Sequence, residues 1–138
     1  MAEIVVVDQL GGTPYLGYAI QAHAALVRDG DSVSHVQMVG WDNKAVVALL
    51  EGKVVGIITY ADSKHVKEWN ILIGFVDPDR RKEGIYKQMW AKLVQQARLK
   101  DVYRITGTTH KGNTLMRVVA HRLGRTEESV NLVFHLDK

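Results

Sequence analysis

Residues 76–86, VDPDRRKEGIY, decide the fold, because they join two segments of different hydrophobic period. Trp69 to Val76 is an apolar, strand-like run, and Pro78 halts it because proline has no N–H to donate to a sheet. From Gly84 to about Lys100 the apolar residues recur at three-to-four spacing, which predicts an amphipathic helix. The segment therefore predicts a strand, a polar loop and a helix start.

This junction is a candidate anion site. A helix start exposes unpaired N–H groups and the positive end of a dipole, which favour phosphate. Arg80, Arg81 and Lys82 add positive charge, and Gly84 would let backbone approach a phosphate closely. The loop lacks the Walker ending and the three glycines of a dinucleotide fingerprint. Spacing alone leaves open both a phosphate site and an ordinary charged connection.

The rest of the chain shows the same two periods, apart from residues 32–43, which follow neither. The further predicted elements are a strand Ile4–Val7, a helix from Thr13-Pro14 to about Arg28, an antiparallel hairpin of Ala45–Leu50 and Val54–Tyr60, a strand Val102–Thr108, a helix Asn113–Leu123 stopped by Gly124, and a closing strand Val130–Leu136. This order predicts one mixed α/β (α+β) domain over residues 1–138.

Composition narrows the class of protein. A chain of 138 residues with 46% hydrophobic residues suits one domain with one core. It has no apolar run of about eighteen residues, and its start, MAEIVVVDQ, lacks a signal-peptide pattern, so we expect a cytoplasmic protein without a membrane partner. With Cys 0 there is no thiolate chemistry, and without HExxH or a carboxylate cluster we expect no metal.

The charge is mildly basic. A formal net charge of +3 suits an anionic partner such as a nucleotide-bearing cofactor, although an ordinary solvated surface explains it equally well. The cationic residues are scattered, and no RNP, zinc-finger or KH signature appears. The sequence therefore argues against nucleic acid as a partner.

Two blocks resemble the GNAT (GCN5-related) N-acetyltransferase superfamily. In its cofactor signature a strand ends V-x-P, and R-x-x-G-x-G/A follows on the turn into a helix; Arg81, Gly84 and Ile85 fall in register. The family also often opens its next helix with asparagine and ends it with leucine-glycine, as Asn113 and Leu123-Gly124 do here. The order of elements from Ala45 to Leu136 is similar as well.

The resemblance implies a GNAT-like fold: a central, mostly antiparallel twisted sheet, flanked by helices and splayed at the cofactor site. The splay is expected at the level of Phe75 and Val76, where exposed backbone would pair with the pantetheine arm of acetyl-CoA. The turn from Arg81 to Tyr86 would hold the pyrophosphate. The implied cofactor-binding residues are Phe75, Val76, Arg81, Lys82, Glu83, Gly84, Ile85, Tyr86 and Asn113.

The implied activity is transfer of an acetyl group from acetyl-CoA to a primary amine, on a small molecule or a protein, by direct attack in a ternary complex. The chain departs from the family where Tyr86 replaces glycine or alanine, Ala120 the usual tyrosine acid and Asn70 the usual glutamate. Glu68 lies on the same strand face as Asn70. Glu68, His110 and His121 are the candidate bases, and either histidine could substitute as the acid. We assign the catalytic positions to Glu68 and His121.

Three questions stay open at the level of sequence. The missing tyrosine admits an alternative function, a catalytically inactive GNAT-fold binding or interaction module. Acceptor choice in the family depends on variable loops, here residues 32–43, 61–68 and 125–130. An exposed last strand leaves a homodimer open.

Overall fold

The computed structural model describes residues 2–29, 39–63, 65–109, 113–130 and 132–136. Most of the expected acceptor loop at 32–43, and His110, lie outside the described residues. The elements are β1 (Glu3–Val7), α1 (Tyr15–Arg28), β2 (Lys44–Leu50), β3 (Lys53–Ser63), β4 (Glu68–Val76), a 3-10 turn (Pro78–Arg80), α2 (Ile85–Leu99), β5 (Arg104–Gly107) and α3 (Thr114–Arg122). None of the helices in the described part is long and apolar enough to cross a membrane.

The strands form one sheet in the order β1-β2-β3-β4-β5. The first three pairings are antiparallel, whereas β4 and β5 are parallel. A parallel pair needs a crossover connection, and α2 supplies it. The expected mixed α+β fold with a mostly antiparallel sheet is confirmed.

The sheet is covered on both faces, which explains why its strands read as continuous apolar runs. Successive side chains of a strand point to opposite faces, so Val46 packs with Met89 and Leu93 of α2. Its neighbour Val47 packs on the other face, in the cluster that holds Ala19 of α1. Each face of β2 to β4 therefore has its own core.

A β-bulge in β4 exchanges the faces along that strand. Thr59 pairs with Ile73 and Tyr60 with Ile71, which leaves Leu72 without a partner on β3. Trp69 and Ile71 thus face α2, whereas Ile73 and Phe75 face α1. By the same alternation, the side chains of Glu68 and Asn70 lie on the α1 face of the sheet.

The predicted closing strand at Val130–Leu136 is wrong. Val130 and residues 132–136 form no strand, and Leu132 and Phe134 are 89% and 85% exposed. Alternating apolar residues form a strand only where they pair with a sheet edge, and within the described residues none of this segment pairs with the free edge of β5. The sheet of the described residues therefore ends at β5. The homodimer expected from an exposed last strand loses that argument, because the strand is not formed over its described residues.

Two truncations test the corrected boundary of the core. Leu93→Ala should lower the free energy of unfolding by about 2–5 kcal/mol, because Leu93 is fully buried beneath α2. Phe134→Ala should change it by less than about 0.5 kcal/mol, because that ring is exposed. Urea denaturation measures both. A Phe134→Ala cost similar to that of Leu93→Ala would contradict the exposed C-terminal segment.

Candidate functional site

The site begins where β4 and β5 part. The two strands pair from Glu68 and Arg104 to Ile71 and Gly107, and no further. β4 continues to Val76, so its edge over residues 72–76 has no strand partner within the described residues. At ~3.3 Å per residue this open edge is about 17 Å long. The strands part nearer the start of β4 than the expected level of Phe75 and Val76, which lie at the wide end of the gap.

The loop after the wide end turns sharply into α2. Lys82 and Gly84 both adopt left-handed backbone, with φ of 69° and 80°. Alternating backbone of this kind turns successive N–H groups toward one concave side, where an anion can bind. A Cβ built on Gly84 would meet nothing within 4 Å, so the positive φ, and not crowding, favours glycine here.

The N-terminus of α2 lies at the end of this loop. The first intrahelical bond runs from the Gln88 N–H to the Gly84 carbonyl, and no side chain of the N-cap residue closes the first turn. The N–H groups before Gln88 are therefore directed out of a helix of 15 residues, at the positive end of its dipole. Backbone groups alone make this a site suited to phosphate.

Arg81 binds the protein's own backbone. Its Nε donates to the carbonyl of Val76 at 3.1 Å, and its guanidinium carbon lies 5.5 Å from the centre of the Phe75 ring. Arg80 lies 3.9 Å from Glu83 in an exposed ion pair. The arginine of the motif thus fixes the loop against the end of β4.

A contact from α1 holds the same loop. The Tyr18 hydroxyl donates to Asp77 Oδ1 at 2.6 Å, and its ring meets Phe75 edge-on with centroids 6.3 Å apart. Burial, followed by the hydrogen bond to the Asp77 carboxylate, raises the pKa of Tyr18. α1 and β4 together therefore determine where the loop begins.

Tyr86 lies below the gap, on the α2 face of the sheet. A Cβ on Gly74 would come 3.0 Å from Cε2 of the Tyr86 ring, so Gly74 leaves the space that this ring occupies. The Tyr86 hydroxyl accepts a hydrogen bond from Nη1 of Arg125 at 3.4 Å. Burial raises the pKa of Tyr86, and Arg125 opposes the shift. The Tyr86 side chain is thus directed to Gly74 and Arg125.

Glu68 belongs to a polar group on the α1 face, in the paired stretch of β4 and β5 and three residues before the last pair. Its Oε2 accepts from Arg104 Nε at 3.0 Å, and its Oε1 lies 3.3 Å from the hydroxyl of Thr106. That hydroxyl can donate instead to Asn70 Oδ1 at 3.1 Å. The Glu68 side chain is 19% exposed, so it is held in place and still reachable from solvent.

His121 lies in a different cluster. Its Nε2 is 3.3 Å from Glu127 Oε2, and both side chains are more than half exposed. Hydrogen bonding to His121 and the charge of Arg117 lower the pKa of Glu127. Within the described residues no hydrogen bond or ion pair joins His121 to Glu68. Asn113 caps α3, its Oδ1 accepting from the Met116 N–H at 3.2 Å.

A model of the acetyltransferase (GNAT) family matches residues 18–124 of this sequence. The chain belongs to the GNAT family. The matched range contains the gap, the loop, α2 and the whole of α3. The resemblance read from residues 76–86 and from Asn113 to Gly124 is thereby confirmed at the level of the family.

Solved structures with the same fold include several acetyltransferases. A ribosomal-protein-alanine N-acetyltransferase from Brucella melitensis biovar Abortus has a TM-score of 0.74 at 14% identity, with 99% of each chain covered. An aminoglycoside N-acetyltransferase solved with CoA has a TM-score of 0.66 at 20% identity, with 98% of this chain and 95% of that one covered. A transcriptional regulator from Bacillus halodurans has a TM-score of 0.72 at 16% identity, with 99% of this chain and 100% of that one covered. No curated protein matches the sequence significantly.

Removing the Tyr18 hydroxyl tests whether its hydrogen bond to Asp77 stabilises the loop between β4 and α2. Tyr18→Phe should lower the free energy of unfolding by about 1–2 kcal/mol at pH 7, since it deletes a hydrogen bond to a carboxylate. Because the folded pKa of Tyr18 lies above its unfolded value of about 10, this stabilisation is full below pH ~10 and declines above it. Denaturation at pH 7 and above pH 10 measures both effects. Tyr103→Phe, at an exposed position, is the control. An equal loss of unfolding free energy in the two variants would show that the Tyr18–Asp77 hydrogen bond does not stabilise the loop.

Proposed function

We propose that this GNAT protein is an N-acetyltransferase that transfers the acetyl group of acetyl-CoA to a primary amine. The observation that carries the proposal is the continuity of two binding surfaces, the open edge of β4 over residues 72–76 and the uncapped N-terminus of α2. Acetyl-CoA has a matching pair of parts, an arm containing two amides and a pyrophosphate. One ligand can therefore satisfy both surfaces.

The two ends of the gap fix the direction of the cofactor. The pyrophosphate suits the wide end, where the left-handed turn at Lys82 and Gly84 leads into the uncapped start of α2. The amides of the arm can then pair with the open edge of β4 in the manner of an added strand. The thioester comes to the narrow end, beside the bulged residue Leu72.

The chemistry at the narrow end needs few protein groups. The neutral amine attacks the thioester carbonyl, and N–H groups of the open edge stabilise the oxyanion. Glu68, on the α1 face and three residues before the last β4–β5 pair, accepts the proton that the amine nitrogen loses, directly or through water. Arg104 and Thr106 hold its carboxylate in place. His121, bound to Glu127 in the exposed cluster, is the weaker of the two candidates.

The structural neighbours support the reaction class and leave the acceptor open. Among them are enzymes described as acting on ribosomal-protein alanine and on aminoglycosides, both of which carry amines. Their low identities to this chain show a shared fold, so the choice between a small-molecule and a protein amine is not inherited from them. Ala120, where the usual acid is absent, favours the second candidate, a GNAT module that binds acetyl-CoA without turnover.

Calorimetric titration tests the cofactor half of the proposal. Acetyl-CoA and CoA should each bind saturably with micromolar dissociation constants, and binding should survive higher salt because backbone contacts contribute as well as charge. Gly84→Val should weaken acetyl-CoA binding at least about tenfold, since a side chain at positive φ distorts the turn into α2. Gly52→Val is the matched control, because Gly52 has φ of 79° in the β2–β3 turn and an equally open Cβ position.

The two glycine variants distinguish a binding site at the loop from a general effect of backbone strain. Normal acetyl-CoA affinity in folded Gly84→Val would refute the assignment of the loop. Loss of affinity in both variants would show a general effect of strain instead of a site.

Removing the candidate base tests the catalytic half. Glu68→Gln should lower kcat by about 10²-fold or more with an amine that the wild type acetylates, because a positioned base contributes about 10²–10⁴-fold. The dissociation constant for acetyl-CoA should not change. Release of free thiol measures the rate across a panel of primary amines, with His121→Gln as the comparison. Tight acetyl-CoA binding without turnover of any amine would favour the binding module.

A further inference from the structure

Arg125 brings a positive charge to the point where β4 and β5 part. Its N–H donates to the carbonyl of Ala120 at 3.0 Å, which fixes the residue just beyond the end of α3. A Cβ on Gly107 would lie only 2.8 Å from Nη2 of Arg125. Gly107 and Ile71 form the last pair before the strands separate. The guanidinium therefore lies at the narrow end of the gap, on its α2 face.

Arg125 is half-buried, and its guanidinium has no acidic partner among the described residues. Its Nη1 donates weakly to the Tyr86 hydroxyl at 3.4 Å, and its Cζ lies 5.0 Å above the Trp90 ring. No carboxylate of the described residues lies within ion-pair distance of it. A guanidinium has five N–H donors, and a charge withdrawn from water is normally paired. The geometry thus leaves a cation whose remaining donors are available to an anion.

Two glycines leave the space that the Tyr86 ring and the Arg125 guanidinium occupy. Any side chain on Gly107 would meet the Arg125 guanidinium, and any side chain on Gly74 would meet the Tyr86 ring that supports it. Both glycines lie on strands that border the gap. The space occupied by Tyr86 and Arg125 is therefore built into β4 and β5.

We propose that Arg125 binds the sulfur of CoA as the thiolate leaves, an assignment that rests on the proposed acetyl transfer. The amine nitrogen forms the new C–N bond, the C–S bond breaks, and its electron pair stays on sulfur. The amine proton passes to Glu68, while the guanidinium, which does not lose a proton in proteins, stabilises the thiolate as an ion pair. The Arg125 cation thus takes over the task of the general acid, the tyrosine that the family usually has at the position of Ala120.

Position distinguishes sulfur from phosphate as the partner of Arg125. The pyrophosphate is assigned to the wide end of the gap, at the N-terminus of α2. The narrow end lies about 17 Å away along β4, five residues at ~3.3 Å each. Two groups at the reacting end of the cofactor become anionic: the carbonyl oxygen, which the N–H groups of the open edge stabilise, and the departing thiolate. Arg125 is therefore placed for the leaving group.

The bound thiol reports on this contact without an acceptor amine. Absorbance of the thiolate can be followed against pH in the protein–CoA complex, with desulfo-CoA as the blank. In the wild type the pKa of the bound thiol should lie at least about one unit below the pKa of the thiol of free CoA, titrated in the same buffer. Arg125→Gln should return it to that value, and Arg125→Lys should give an intermediate value. Arg122→Gln, which removes an equal charge from exposed α3, should leave the wild-type value unchanged.

Each result has a definite meaning. A shift lost in Arg125→Gln and kept in Arg122→Gln supports the assignment. A bound-thiol pKa that is the same in wild type and Arg125→Gln overturns it, as does equal weakening of CoA and desulfo-CoA binding, which would place Arg125 on another part of the cofactor. Failure of the wild type to bind CoA would refute the proposed function itself.

Discussion

The separation of β4 from β5 after Ile71 and Gly107 is the constraint on which the rest of the structure depends. Paired strands satisfy each other's backbone groups, so a strand that continues alone presents N–H and C=O groups that need another partner. Here five residues of β4 keep β3 on one side and have no described strand on the other, in the middle of the sequence and next to a buried core. An extended ligand that contains amides is the natural partner for such an edge.

The connection between β4 and β5 places a helix N-terminus beside the open edge. Because β4 and β5 are parallel, the chain must cross over through α2, and that helix begins at the wide end of the gap. Its positive terminus is therefore always beside the open edge. Arg81 and Tyr18 then fix the loop through Val76 and Asp77, and neither needs to contact a ligand to do so.

The local hydrophobic pattern was sufficient to predict the strands β2 to β4 and the helix α2. The hairpin of β2 and β3, the apolar run of β4 and the spacing of Ile85, Met89 and Leu93 each show their period in the sequence, and the structure has all of them. The segment Val130–Leu136 shows an equally clear pattern and forms no strand over its described residues, because an alternating pattern does not specify the pairing partner that a strand needs.

The side chains around the site depend on contacts that no local pattern records. Tyr18 and Asp77 are separated by 59 positions, and Tyr86 and Arg125 by 39. Glu68 was identified from its strand face, but its partners Arg104 and Thr106 come from β5. His121 is next to Ala120 in the sequence, but its contact with Glu127 cannot be read from spacing.

The most direct test of the central claim is to map backbone amides during a titration with CoA. Two-dimensional ¹⁵N NMR resolves each amide, so the binding surface can be observed independently of turnover. Our account expects the largest shift changes at residues 72–76 and 82–87, the open edge and the start of α2. Saturable changes confined to other surfaces, with these two segments unaffected, would show that the separation of β4 from β5 is not the cofactor site.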